Sequence, residues 1–141
     1  MRKFFSILAI IFMFNMLSVS ASAATEEETL LALINSARAE NGLGALSLDK
    51  ELTRAASIRA TECAVLFSHT RPDGTDFYTV SSAAYGENLS KANSYNTLEE
   101  VFAAWMASPS HRANILYGAS TKTGFGIFKS GDVYYVTEEF N

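Results

Sequence analysis

Three short segments carry side chains able to do chemistry. Residues 67–74 read FSHTRPDG, residues 85–89 read YGENL, and residues 105–116 read WMASPSHRANIL. They contribute His69, Glu87 and His111, and the chain has no other histidine. Two imidazoles and a carboxylate form a ligand set suited to zinc or a similar divalent ion, with one position open for water. The same groups can hold the polar head of a ligand by hydrogen bonds alone. They lie 18 and 24 residues apart. That is not the spacing of a local motif such as HExxH, so the sequence by itself does not show that they meet. There is no GxSxG elbow, no Gly-rich phosphate loop and no motif marking a glycosidase carboxylate pair.

The elements that must position these residues are partly readable. Thr25-Glu26-Glu27-Glu28 is a capping box, Leu30, Leu31, Ile34 and Ala37 recur at helical spacing, and Asn41-Gly42 supplies a stop. A second helix is expected from about Asp49 to Val65, with Leu52, Ala55, Ala56, Arg59 and Cys63 along it. Cys63 falls on the side of Leu52 and Ala56, which makes it a small buried hydrophobe rather than a reactive thiol. In FSHTRPDG, Pro72 fixes φ, Asp73 can bond its own backbone and Gly74 permits positive φ, so a turn-rich loop carries His69. The stretch from there to about Ala84 has no distinct pattern. Thr97-Leu98-Glu99-Glu100 is a second capping box, leading a helix with Val101, Phe102, Trp105 and Met106 on one face. Pro109 starts a separate short helix over 110–116, with Ser108 as its cap and His111 in its first turns. Gly124–Lys129 and Val133–Phe140, around Ser130-Gly131-Asp132, read as a hairpin. Helices first and a hairpin last favour an α+β layered domain.

Composition narrows the function classes. A short basic start, a mostly apolar run from Phe4 to Val19 and the small-x-small site Ala21-Ser22-Ala23 read as a secretory signal over residues 1–23. The run is too short for a membrane anchor, so one domain over residues 24–141 is expected to be released outside the cell. Losing Arg2 and Lys3 makes the formal net charge of −4 more negative by two. An acidic chain without a Lys/Arg run argues against nucleic acid as a partner. Cys63 is the only cysteine, so no internal disulfide can form and stability must come from packing.

The ordered set FSHTRPDG, YGENL, WMASPSHRANIL, the strand GFGIF and the closing VYYVTEEF resembles the CAP superfamily of cysteine-rich secretory, antigen 5 and pathogenesis-related 1 proteins. The likeness is greatest to its secreted bacterial SCP-like branch and covers about residues 28 to 140. The resemblance implies a three-layer α-β-α sandwich with a central antiparallel sheet and an open cleft. It assigns His69, Glu87 and His111 to that cleft. Where many members carry a second glutamate, three residues after the helix tryptophan, this chain has Ser108, so the four-residue cluster is incomplete. Tyr134, Val136, Glu138 and Phe140 share a face by period two, and Glu138 is the expected substitute acid of the cleft. The family transfers no general enzymatic activity. The expected role is binding of an extracellular ligand, a lipid or a cell-surface component, through the His/Glu cleft. The rivals are a zinc-dependent hydrolase using His69, Glu87 and His111, and a toxin-like interaction protein with a vestigial cleft.

Overall fold

A computed structural model of the protein describes residues 23–93 and 96–141. The expected secretory signal therefore lies, but for Ala23, outside the described residues. Four α-helices, a short 3-10 helix and a four-stranded sheet follow in chain order: α1 Glu26–Glu40, β1 Ser47–Leu48, α2 Lys50–Val65, the 3-10 turn Phe77–Val80, β2 Gly86–Asn93, α3 Leu98–Ala107, α4 Pro109–Ile115, β3 Lys122–Ser130 and β4 Val133–Phe140.

Local chemistry sets most of these boundaries. Both capping boxes form: Thr25 accepts from the Glu28 N–H and Thr97 from the Glu100 N–H, and each glutamate returns a bond to its cap's backbone. Asp49 caps α2 through the N–H groups of Glu51 and Leu52. Pro109 opens α4. Ser108 stands at its N-cap position, but its hydroxyl pairs with Ser110 Oγ at 3.3 Å instead of capping the helix. The β3–β4 hairpin turns through Gly131, whose φ of 57° a side chain would resist.

The sheet order is β1-β3-β4-β2, with β1 parallel to β3 and the other pairs antiparallel. Helix α2 packs on one face, while α1, α3 and α4 cover the other. The main core lies on the second side, where Leu30, Ile34, Val101, Trp105 and Ile115 meet Phe125, Val136 and Phe140. The expected α-β-α sandwich is what the chain forms. The α2 side is thinner. A Cβ built on Gly124 would sit 2.1 Å from the Thr53 nitrogen, and one on Gly126 would sit 2.2 Å from the Ala56 carbonyl oxygen. Helix backbone therefore rests almost on strand backbone, which only glycine allows. Thr137 strengthens that contact by donating to the Ala56 carbonyl at 2.6 Å.

Strand β2 has no counterpart in the sequence pattern. GENLSKAN is poor in β-branched and aromatic residues. It becomes a strand because β4 supplies a full register from Gly86↔Phe140 to Asn93↔Val133. It is an edge strand, and side chains occupy part of its exposed backbone: the Glu87 carbonyl accepts from Asn114 Nδ2 at 3.2 Å and the Leu89 carbonyl from Trp105 Nε1 at 3.1 Å.

Trp105 is 1% exposed and ties α3 both to the core and to the edge strand. Trp105→Ala removes a large buried ring and an N–H donor. The expected loss is about 3–5 kcal/mol of unfolding free energy. Urea denaturation checks this, and an unchanged midpoint would contradict the packing described.

Candidate functional site

The site begins on the inner face of α2. Arg59 shares a helical stripe with Leu52, Ala55, Ala56 and Cys63 and is 0% exposed. A guanidinium in that position must find carboxylates and carbonyls or forfeit its hydration. It finds Glu87 on β2, with Nε to Oε2 at 2.7 Å and Nη2 to Oε1 at 3.3 Å. It also donates to Glu62 at 2.7 Å and to the Ser68 carbonyl at 2.6 Å. The last bond reaches into the loop that carries His69. Arg71 from the same loop returns to Glu62 at 2.7 Å. The loop closes on itself as its composition predicts: Thr75 N–H bonds Asp73 Oδ1, Gly74 N–H bonds the Arg71 carbonyl, and Gly74 has φ 87°.

His69 thus stands at the mouth of the site with its Nδ1 2.8 Å from Glu87 Oε1. Its side chain is 57% exposed, whereas the Glu87 side chain is wholly buried. Burial is the largest single effect on Glu87 and pushes its carboxyl upward. The bonds from His69 and Arg59 together outweigh it and hold the group below the usual carboxylate range. An ionised Glu87 accepts a hydrogen bond from the Nδ1–H of His69, which leaves Nε2 as an acceptor in a neutral ring. His111, half-buried on α4, feels the charge of His69. Burial first and that repulsion second lower its pKa from the ordinary value near 6.5. Its backbone carbonyl accepts from Asn88 Nδ2 at 3.2 Å, which locks α4 against β2.

His69 and Glu87 meet directly, and His111 is linked to them through its electrostatic interaction with His69. Among the described residues, no group of three or more His, Cys, Asp and Glu side chains is placed to hold a metal ion. The donors explain why: both Glu87 oxygens are already taken by Arg59 and His69, deep in the protein. Glu87 orients an imidazole rather than offering itself as a ligand.

The chain matches the family model described as "Cysteine-rich secretory protein family", the CAP domain, over residues 31–140. It belongs to this family. It is 32% identical over 131 residues to YkwD of Bacillus subtilis (strain 168), itself uncharacterised, a match that covers 87% of this chain and 49% of YkwD. The chain thus spans about half the length of that relative. Among solved structures it resembles an outer surface protein of Borrelia burgdorferi, with a TM-score of 0.64, 22% identity, and 80% of this chain and 90% of the other covered. It also resembles an extracellular SCP-domain protein of Bacillus anthracis, with a TM-score of 0.66, 21% identity, and 82% and 40% covered. Those two likenesses speak to fold. No helix among the described residues of this CAP domain is long and apolar enough to cross a membrane.

The expectation for Glu138 needs correction. It points inward, but it is 0% exposed and lies on the sheet face opposite Glu87, beside Thr123 Oγ1 at 3.1 Å and Asn88 Nδ2 at 3.4 Å. Burial pushes its carboxyl up to about 8. It is part of the core, not a wall of the open cleft. The acid beside Glu87 is its neighbour Glu139, paired with Glu87 across β2 and β4 and also 0% exposed. No protein donor among the described residues reaches either Glu139 oxygen. Arg59 directs its donors to Glu87, Glu62 and the Ser68 carbonyl, so burial beside the Glu87 charge favours the protonated form of Glu139. Burial and the adjacent Glu87 charge raise its pKa far above the ordinary carboxylate value. The available signals were Arg59 on an apolar stripe, which demands a buried acid, and the opposite parity of β4. Cys63 borders the same pocket as an inert thiol, raised to about 11 chiefly by burial.

Two outcomes follow from this charge arrangement. Because the folded pKa of Glu139 is raised, its contribution to stability is complete below about pH 4.5 and is lost progressively as pH rises toward its folded value. Glu139→Gln keeps the side-chain shape and removes the titration. The variant should melt higher than wild type at pH 7 and above, by a margin that grows with pH. Parallel melting profiles from pH 5 to 9 would contradict a protonated Glu139. Arg59→Met leaves Glu87 buried without its counter-charge and should cost about 3–5 kcal/mol. Arg59→Lys should recover only part of this, since lysine lacks the two-pronged fork.

Proposed function

We propose that this CAP domain is a secreted binding protein whose His69–Glu87–His111 cleft grips a polar group of an extracellular ligand or partner. One observation carries the reading: an exposed imidazole is held at Nδ1 by a fully buried, ionised carboxylate. Burying Glu87 beside Arg59 does nothing for the apolar core that a hydrophobic side chain would not do better. What it secures is the tautomer and orientation of His69, with Nε2 presented to solvent beside a neutral His111. Such a pair accepts hydrogen bonds from hydroxyl, amide or ammonium groups. The kinship with proteins described as extracellular or outer-surface supports a place outside the cell. A metal-dependent hydrolase is the weaker alternative, since the engaged Glu87 leaves only two imidazoles for an ion.

Purified protein incubated in conditioned medium and re-isolated for native mass spectrometry tests the proposal. Wild type should carry an adduct that His69→Ala and His111→Ala each reduce at least about tenfold, with the fold retained by circular dichroism. Because His111 titrates below 6.5, the adduct should persist at pH 7 and be released as the pH falls through the midpoint of the His111 ring resonance in NMR. A bare protein, or an adduct indifferent to both substitutions, would end the reading.

A further inference from the structure

Outside the imidazole cleft, three tyrosines stand in the open. Tyr85 is 79% exposed, Tyr117 60% and Tyr78 52%. They are not scattered. Tyr85 and Tyr117 wall one cavity of about 290 Å³ with Gly86, Asn114, Ser120, Phe140 and Asn141. Tyr78 and Tyr85 wall a second, of about 270 Å³, with Ser81, Ser82 and Ala84. Tyr85 is a wall of both, so the two hollows adjoin along a groove-like surface from the end of α4, past the start of β2, to the 3-10 turn.

The rings of Tyr85 and Tyr117 stand largely in solvent, yet the structure under them is stiff. Tyr85 donates its backbone N–H to the Phe140 carbonyl at 2.8 Å. The Tyr117 carbonyl accepts from the buried Arg38 at 3.0 Å. Tyr78 bonds Asp76 through its hydroxyl at 2.7 Å, and its ring meets Phe77 edge-on at 5.6 Å. Tyrosine offers a flat apolar face and a polar tip with only two χ angles to freeze, a low entropic cost for a contact residue.

The lining also says what the groove does not recognise. None of its residues carries a charged side chain, in a chain with 11 Lys and Arg and 15 Asp and Glu. A neutral occupant suits that lining. Each cavity falls at the small end for a ligand site, which suits two small cyclic units joined in a row. A peptide strand would bind through its backbone along a free sheet edge, but the Glu87 and Leu89 carbonyls of β2 are already engaged by Asn114 and Trp105. A pyranose ring has the matching form, with an apolar face of C–H groups for an aromatic ring and a rim of hydroxyls for amide and hydroxyl groups. We propose that the Tyr78–Tyr85–Tyr117 groove binds a neutral oligosaccharide chain, with successive sugar rings stacked on the tyrosine faces. The site is distinct from the imidazole cleft and does not rest on the proposal made for it.

Calorimetry with cellohexaose and chitohexaose as probes tests the groove. At least one should bind wild type. Tyr85→Ala and Tyr117→Ala should each weaken that binding about tenfold, while Tyr85→Phe and Tyr117→Phe should stay within about threefold. Both rings are exposed, so melting temperatures should not move. His69→Ala and His111→Ala should bind the sugar like wild type, which separates this test from that of the cleft. No heat with either hexasaccharide at millimolar concentration would overturn the proposal. So would sugar binding that depends on the histidines and ignores the tyrosines. Tyrosine-dependent retention of peptides from a casein digest, without sugar binding, would identify a peptide groove and overturn it equally.

Discussion

The buried ion pair of Arg59 and Glu87 is the interaction on which the cleft depends. A guanidinium and a carboxylate without solvent exposure cost several kcal/mol each in lost hydration, and their attraction alone does not guarantee a return. Here the balance is met by geometry. Arg59 directs its donors to Glu87, Glu62 and the Ser68 carbonyl, so one side chain fastens α2 to the edge strand and to the His69 loop. Removing any partner would strand a charge in the interior. The site is thus continuous with the fold, and the exposed imidazole is the visible end of a buried network built on Arg59.

A second buried arginine works by a different rule. Arg38 of α1 is 1% exposed and makes no direct carboxylate bond among the described residues; its donors go to the carbonyls of Gly44, Ile115, Tyr117 and Ser120. Burial lowers its pKa, but a guanidinium keeps its proton even so. It ties α1 to the end of α4 and to the following turn, segments far apart in sequence. In a chain with one cysteine, these two polar hubs make long-range connections of the kind a disulfide makes in many small secreted domains. They differ from disulfides in being indifferent to reductant.

What could be read from the sequence was what local physics decides. Capping boxes, the Pro109 break and the Ser130–Val133 hairpin turn act over a few residues, and all appear where their residue types put them. The meeting of His69 with Glu87 was not legible from spacing, because it depends on strand pairing across the sheet. Only the family resemblance supplied it. GENLSKAN does not announce itself as a strand because its own residues favour one weakly, and β4 decides the matter from some fifty positions away. The choice of Glu138 over Glu139 failed for an instructive reason. Its apolar neighbours Tyr134, Val136 and Phe140 do mark a buried face, but β4 is central in a three-layer structure and both its faces are buried. Alternation then reports burial without saying which layer holds the chemistry.

The seating of α2 on Gly124 and Gly126 has a consequence for how the protein moves. With no side chains between helix and strand, there is no cushion to absorb a partial displacement. Lifting α2 would break the Thr137–Ala56 bond, open the backbone contact along β3 and pull Arg59 from Glu87 in one event. Local opening is easy only where few such contacts must be lost together. Hydrogen exchange at the floor of the cleft is therefore bound to the unfolding of the whole domain. Exchange in the loop bearing His69 can proceed on its own, around a base that does not breathe.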